Sequence, residues 1–117
     1  MNYTLLNKND LVGTAKTKKF EGYLYNDTTV SFFLVDVVPG KGAHLHTHPY
    51  EEVHIAQEGQ ATYTIDGETL ELTVGQIVIV PPNTPHGFVN SGTGPFRAIG
   101  IHPVTKMIQT DLETVPA

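Results

Sequence analysis

Apolar residues in this chain come in short runs, either alternating with polar ones or unbroken, and the breaks between runs fall on Gly, Pro, Asn and Asp. Such runs read as β-strands bounded by turns, with almost no helical periodicity. The first expected strand is Phe20 to Tyr25, ended by the Asn26-Asp27 turn. Val30 to Val38 (VSFFLVDVV) is the second, rich in β-branched and aromatic residues and largely apolar on both faces. A strand apolar on both faces needs cover outside as well as inside, from a second sheet or a partner subunit, so a homodimer is expected. Gln60 to Ile65 and Thr69 to Leu72 flank Asp66-Gly67, a strong hairpin signal. Ile77 to Val80 looks fully buried and is closed by Pro81-Pro82; His86 to Asn90 and Phe96 to His102 lie on either side of the Ser91 to Gly94 loop. Beyond Pro103, VTKMIQTDLE reads as weakly helical or irregular, packing over the strands. About eight short strands with frequent turns point to an all-β double-sheet jelly roll.

The polar N-terminal stretch, residues 1 to 19, carries Lys16, Lys18 and Lys19 and reads as a solvated edge strand whose lysines block edge pairing. An N-terminal strand exchanged between the protomers of a dimer is the alternative. At 117 residues the chain has room for one domain. The expected division is N-terminal edge strands over 1–26, a barrel core over 27–103 and a C-terminal segment over 104–117.

Composition removes several function classes. A net charge of -5 gives no basic footprint, so no nucleic-acid partner is expected. The absence of cysteine removes disulfides and thiol nucleophiles and suits a reducing compartment. No uninterrupted apolar stretch reaches about 18 residues, so no membrane span is expected. The start, MNYTLLNKND, lacks the pattern of a secretory signal, and the expected location is the cytoplasm.

Chemistry concentrates in GKGAHLHTHPYEEVHIAQEG, residues 40 to 59, which holds four of the six histidines and two adjacent glutamates. On a strand, residues two apart share a face, so His46 and His48 can converge on one point. Glu52 approaches from the next strand after the Pro49-Tyr50 bend, and His86 in GQIVIVPPNTPHGFVN is the candidate fourth ligand. Imidazole and carboxylate together suit a divalent transition metal such as iron, manganese, nickel, copper or zinc.

These two stretches resemble the two motifs of the cupin superfamily, in a small single-domain, cupin 2 type arrangement. Gly40, His46, His48, Glu52 and Gly59 stand at the spacings of the first motif, and Gly75, Pro81, His86 and Asn90 at those of the second. Asn83 stands where the family usually has glycine; asparagine tolerates a left-handed backbone best among other residues, so the turn is expected to persist. The resemblance implies a jelly-roll barrel with His46, His48, Glu52 and His86 as metal ligands, and it leaves the reaction open.

The remaining histidines have more than one reading. His44 is expected at the pocket rim or the surface. His54 shares parity with Glu52 and points inward, either as a satisfied core histidine or as a proton-relay group beside the metal. His102 ends the last barrel strand and is either a pocket wall or a surface residue. His54 and His102 are therefore the candidate catalytic residues, as groups that titrate near neutral pH. Glu51 should face solvent, and Phe88, in phase with His86, should form a pocket wall. Arg97, the sole arginine, should point away from the pocket, with Lys41 the one lysine near its mouth. A site without a cationic clamp is poorly suited to a phosphorylated substrate and fits a small neutral or metal-chelating molecule better. The leading expectation is a metal-dependent, dioxygenase-type oxidoreductase. A non-catalytic small-molecule or metal-sensing module, and a metal-dependent isomerase, lyase or hydrolase, remain open.

Overall fold

The structure, a computed structural model, describes residues 2–14 and 16–112. Two antiparallel sheets face each other. One has the strand order β1 (Val12–Gly13), β2 (Lys18–Phe20), β3 (Ser31–Val37), β10 (Phe96–His102), β5 (Glu52–Glu58), β8 (Ile77–Val80). The other runs β11 (Thr110–Asp111), β4 (Gly42–Thr47), β9 (His86–Val89), β6 (Gln60–Ile65), β7 (Glu68–Thr73). This is the expected all-β jelly roll, and every strand expected between Ser31 and His102 forms within a residue or two of its anticipated ends.

Turn chemistry explains the boundaries. Asp66 and Gly67 both take positive φ, 51° and 81°, as a tight hairpin between β6 and β7 requires. Asn83 also adopts φ 58°, and its N–H donates to the His48 carbonyl at 2.7 Å, so the turn before His86 is tied to a candidate ligand. Gly59 joins β5 to β6 with φ 75°; a Cβ there would lie 2.3 Å from the Pro95 carbonyl oxygen, a second reason for glycine.

Between the sheets, Val35, Ala56, Ala61, Tyr63, Leu72, Phe96 and Ala98 form the core. Tyr63 stacks on Phe88 at 5.0 Å and meets Phe96 edge-on at 6.3 Å. Small residues at 56, 61 and 98 let the large aromatic rings interdigitate. This cluster forms the bed for the histidines next to it.

The outer face of the first sheet is apolar too. Cross-strand partners share a face, and the register pairs Ile101 with Phe32 and Val53, Ile99 with Leu34 and Ile55, and then Val53 with Ile79 and Ile55 with Ile77. Ile77 and Ile79 are 62% and 64% exposed, so β8, expected to be fully buried, buries only the face that carries Val80, because as the last strand of its sheet it has nothing over its outer side among the described residues.

Two segments depart from expectation. Of the first expected strand, Phe20 to Tyr25, only Phe20 lies in a strand, as the last residue of β2; Gly22–Leu24 is a 3-10 turn. Gly22 lies against the Thr28 carbonyl, where a Cβ would fall 1.7 Å from its oxygen, and the Thr28 N–H donates to Gly22 O at 3.0 Å, so the chain folds back on itself here. The segment after Pro103 was expected to be weakly helical or irregular, yet Thr110–Asp111 adds a strand to β4, opposite Thr47 and His46. The edge of β4 opposite β9 supplies the ladder, and the Leu112 N–H extends it to Leu45 O at 2.9 Å. The part of that segment from residue 113 onward lies outside the described residues. The lysine-bearing β2 pairs with β3 of its own chain, with β1 outside it.

Phe96, with no exposed surface, sits where the core supports Tyr63. Phe96→Ala is expected to destabilise the fold by about 3–5 kcal/mol, measurable as a lower midpoint in urea denaturation with an unchanged slope.

Candidate metal centre

Both sheets contribute to one buried point. His46 comes from β4, His86 from β9 and Glu52 from the start of β5, while His48 follows directly on β4. A register shift in the β4–β9 pairing between Ala43 and His46 brings His46 directly opposite His86. One nitrogen or oxygen from each of His46, His48, Glu52 and His86 lies within 4.8 Å of the others, and all four residues are buried. The ring centroids of His46 and His86 are 4.3 Å apart, and those of His46 and His48 4.8 Å.

The hydrogen bonds of these three imidazoles fix their tautomers. His46 Nδ1 lies 2.6 Å from His44 O, His48 Nδ1 2.7 Å from Ile108 O, and His86 Nδ1 2.8 Å from Thr84 O. A carbonyl only accepts, so each Nδ1 carries the proton, and each neutral ring directs its Nε2 lone pair inward. That is the form in which histidine binds a metal, with its other nitrogen held by an outer partner. His86 Nε2 is 2.9 Å from Glu52 Oε1 and His48 Nε2 3.2 Å from it. Lone pairs facing a carboxylate at these distances require either protonation of the rings or a cation among them. His48 Nε2 lies near Glu52 but is not aligned for a hydrogen bond, and it is buried without one. Nitrogen and oxygen donors around an orphaned, inward-facing nitrogen fit a divalent transition metal.

Glu52, 3% exposed, is the electrostatic centre of the site. Burial opposes its ionisation, but contacts from His102, His48, His54 and His86 outweigh that and hold the carboxyl far below the usual carboxylate range. Burial pushes His46 down to about 4, helped by the neighbouring His86 and His48, against its bond to the His44 carbonyl. Burial opposes charge on His48 as well, but Glu52 and the Ile108 carbonyl together raise it above the ordinary value.

His54 and His102 are both buried. Each reaches the other oxygen of Glu52, His54 Nε2 at 2.6 Å and His102 Nε2 at 3.1 Å from Oε2. His44 is exposed at the rim and Glu51 faces solvent, as expected. Arg97 points outward, paired with Glu58 at 2.8 Å and Asp36 at 3.2 Å.

The site opens into a cavity of about 700 Å³, with His46, Glu52, His54, His86 and His102 at its polar end. Phe33, Val35, Val37 and Phe88 form apolar walls. Lys16 lines the cavity along with Lys41, correcting the expectation that Lys41 is the one lysine near the mouth. Gln109 and Asp111, brought in by β11, also line it. Sequence reasoning missed Tyr63, 2.6 Å from His54 Nδ1, and Tyr50, 2.8 Å from His102 Nδ1. Tyr63 was within reach, because the alternation in Ala61-Thr62-Tyr63-Thr64-Ile65 puts it inside; Tyr50 lies in a turn that carries no such signal.

The cupin domain family model matches residues 33–102, which carry all four candidate ligands. The chain belongs to the cupin family. This cupin is 37% identical over 92 residues to an acireductone dioxygenase of Leptospira biflexa, covering 70% of this chain and 50% of that protein. It is 35% identical over 65 residues to an uncharacterized protein of Methanocaldococcus jannaschii, covering 54% and 52%. The chain thus spans about half the length of the curated relatives it matches. Among solved structures it resembles Bacillus subtilis oxalate decarboxylase, an enzyme described with Mn(II) centres, at a TM-score of 0.75 and 25% identity over 82% of this chain and 27% of that one.

Because His46 is pushed down to about 4 in the folded chain, the metal-free fold binds fewer protons there than the unfolded chain does below the ordinary value of about 6.5. The His46 contribution to stability is therefore full above that value and is lost as pH falls from about 6.5 through about 4. His48, shifted up, contributes in the opposite sense, and its share is lost as pH rises through its folded value. Histidine side-chain NMR titration of the metal-free protein should show the His46 ring titrating well below His48. Coincident midpoints would refute the assigned environments.

Proposed function

We propose that this cupin is a metal-dependent oxidoreductase of the dioxygenase type, acting on a small neutral or metal-chelating organic molecule. The observation that carries the reading is the set of three imidazoles with Nδ1 committed to carbonyls, two of which, His48 and His86, turn Nε2 toward one oxygen of Glu52, with one ligand atom from each of the four residues gathered within 4.8 Å. The 37% identity to an acireductone dioxygenase supports the reaction class.

In this reading His46, His48, Glu52 and His86 bind one divalent ion, with iron, manganese, nickel, copper and zinc as candidates. The bound ion would polarise a chelating substrate as a Lewis acid and, if iron or manganese, exchange electrons with dioxygen. Glu52 neutralises part of its charge. Phe33, Val35, Val37 and Phe88 receive the apolar body of the substrate and keep water from the reacting end. His54 and His102 stand at the cavity wall beside the carboxylate, the place expected of proton-handling groups. The likeness to oxalate decarboxylase favours a second reading, Lewis-acid lyase chemistry at the same ligands.

No helix among the described residues is long and apolar enough to cross a membrane. We propose a cytoplasmic location on the cysteine-free sequence, which suits a reducing compartment. We assign no nucleic-acid partner.

Elemental analysis of untagged protein should find close to one transition-metal ion per chain, and His48→Ala should lose most of it. Iron or manganese with oxygen uptake on a panel of catechols, thiols and diketones supports the oxidoreductase reading. Turnover without oxygen uptake selects the lyase, and tight ligand binding with no turnover selects a sensing module. Unchanged metal content in His48→Ala refutes the ligand set.

The apolar outer face formed by Phe32, Leu34, Ile99, Ile101, Val53, Ile55, Ile77 and Ile79 supports a homodimer packed through this sheet. Light scattering should give twice the 12.8 kDa chain mass, and Ile79→Lys should return it to that of the monomer.

A further inference from the structure

We propose that His54 and His102 are positioning residues that pin one oxygen of Glu52, so that the carboxylate presents its other oxygen alone to the bound ion. The inference rests on the metal-binding reading above and assigns these two histidines a task other than contact with substrate.

The two oxygens of Glu52 have separate neighbours. Oε1 faces His86 at 2.9 Å and His48 at 3.2 Å, both from the ligand set. Oε2 faces His54 at 2.6 Å and His102 at 3.1 Å. The two pairs of histidines also differ in what anchors Nδ1. In the ligand set it is a carbonyl, which forces the proton onto Nδ1. In His54 and His102 it is a phenol, from Tyr63 at 2.6 Å and Tyr50 at 2.8 Å.

A phenol can donate, and that reverses the tautomer. The carboxylate oxygen only accepts, so His54 Nε2 must carry the proton at 2.6 Å; the neutral ring then accepts at Nδ1 from the Tyr63 hydroxyl. Tyr63 is 1% exposed, and its burial beside a carboxylate keeps the phenol protonated and able to donate. Tyr50 fits the same pattern: its oxygen accepts from the Ile108 N–H at 3.2 Å, and its proton has in His102 Nδ1, at 2.8 Å, a closer acceptor than the Ile108 carbonyl at 3.4 Å. His102 Nε2 lies 3.1 Å from Oε2 without the alignment of a full hydrogen bond. It is thus the weaker of the two restraints, and His54 the stronger.

The backbone is shaped around this contact. Gly100 of β10 pairs with His54 across the sheet, and a Cβ at residue 100 would lie 3.0 Å from His54 Nε2 and 3.2 Å from Glu52 Oε2. Glycine at this position leaves the His54–Glu52 bond undisturbed. A carboxylate held this way cannot swing to two-oxygen coordination without breaking a short buried hydrogen bond, so coordination positions stay free for substrate. Partners that orient a ligand in this manner typically change metal affinity about 10- to 100-fold when removed.

The test uses manganese(II) as probe, with its affinity measured by chelator competition and its coordination by electron paramagnetic resonance. His54→Leu, Tyr63→Phe and Gly100→Ala should each still bind one ion, with affinity reduced by about 10- to 100-fold for His54→Leu and an altered zero-field splitting. His54→Gln, whose amide can donate at the Nε2 position, should restore most of the affinity and the original spectrum. His102→Leu should have the smaller effect. Folded His54→Leu and Gly100→Ala variants with wild-type affinity and spectrum would overturn the proposal while leaving the metal site intact. A wild-type protein that binds no manganese or other divalent ion would overturn both. If His54→Leu fails to fold, Tyr63→Phe and Gly100→Ala, which leave the imidazole in place, carry the same two readouts.

Discussion

A buried carboxylate ringed by imidazoles is the constraint on which this molecule is arranged. Removing an ionised group from water costs several kcal/mol unless charge or hydrogen bonds compensate. Glu52, 3% exposed, has ring nitrogens of four histidines from both sheets within 3.2 Å: His54 Nε2–H donates to it directly, while the inward nitrogens of His48 and His86 need a shared cation or a proton to face it. His102 on β10 and His54 on β5 belong to one sheet and His86 on β9 to the other, with His48 leaving β4 toward the same point. The two-sheet closure is therefore also what brings compensation to the charge. Opening the sheets would strand Glu52 without partners, so fold stability and site integrity are coupled.

Around that charge the histidines divide by the chemistry of a single outer atom. Where Nδ1 meets a carbonyl, the inward nitrogen of the neutral ring is a lone pair and the ring is a candidate ligand. Where it meets a tyrosine hydroxyl, the inward nitrogen can be a donor and the ring a brace. Two of the carbonyls come from residues two positions before the ring they hold, His44 before His46 and Thr84 before His86, so the local backbone sets these tautomers. The third comes from Ile108, sixty residues after His48. The C-terminal segment with its added strand β11 therefore takes part in preparing the site.

This division explains how much was legible beforehand. Period-two alternation is a local property, and it located the strands, put His54 inside and Glu51 outside, turned Arg97 away from the cavity and marked Phe88 as a wall. The asparagine at 83 could be read because a single backbone angle decides it. Contacts set by tertiary closure were not legible. The Tyr50–His102 bond spans 52 residues and joins a turn to the end of a strand, and the seating of Ile108 depends on β11, whose sequence has little strand character. Gly22 misled for a related reason: the run Phe20 to Tyr25 looks like a strand, and what breaks it is the approach of Thr28, a contact that alternation does not register.

A fold does not determine a reaction, so what would select the chemistry here must be sought in the cavity beyond the candidate ligands. The sole arginine is engaged outside, between Asp36 and Glu58, and so no guanidinium is available to grip an anionic group bidentately beside the candidate ligands. Lys16 and Lys41 line the cavity as single amines, which lack the planar fork of a guanidinium. In the proposed reading a substrate would gain its orientation from the bound ion and from surface contact with Phe33, Val35, Val37 and Phe88. That favours a molecule with two donor atoms able to chelate and an apolar body behind them, and it disfavours one recognised through a phosphate.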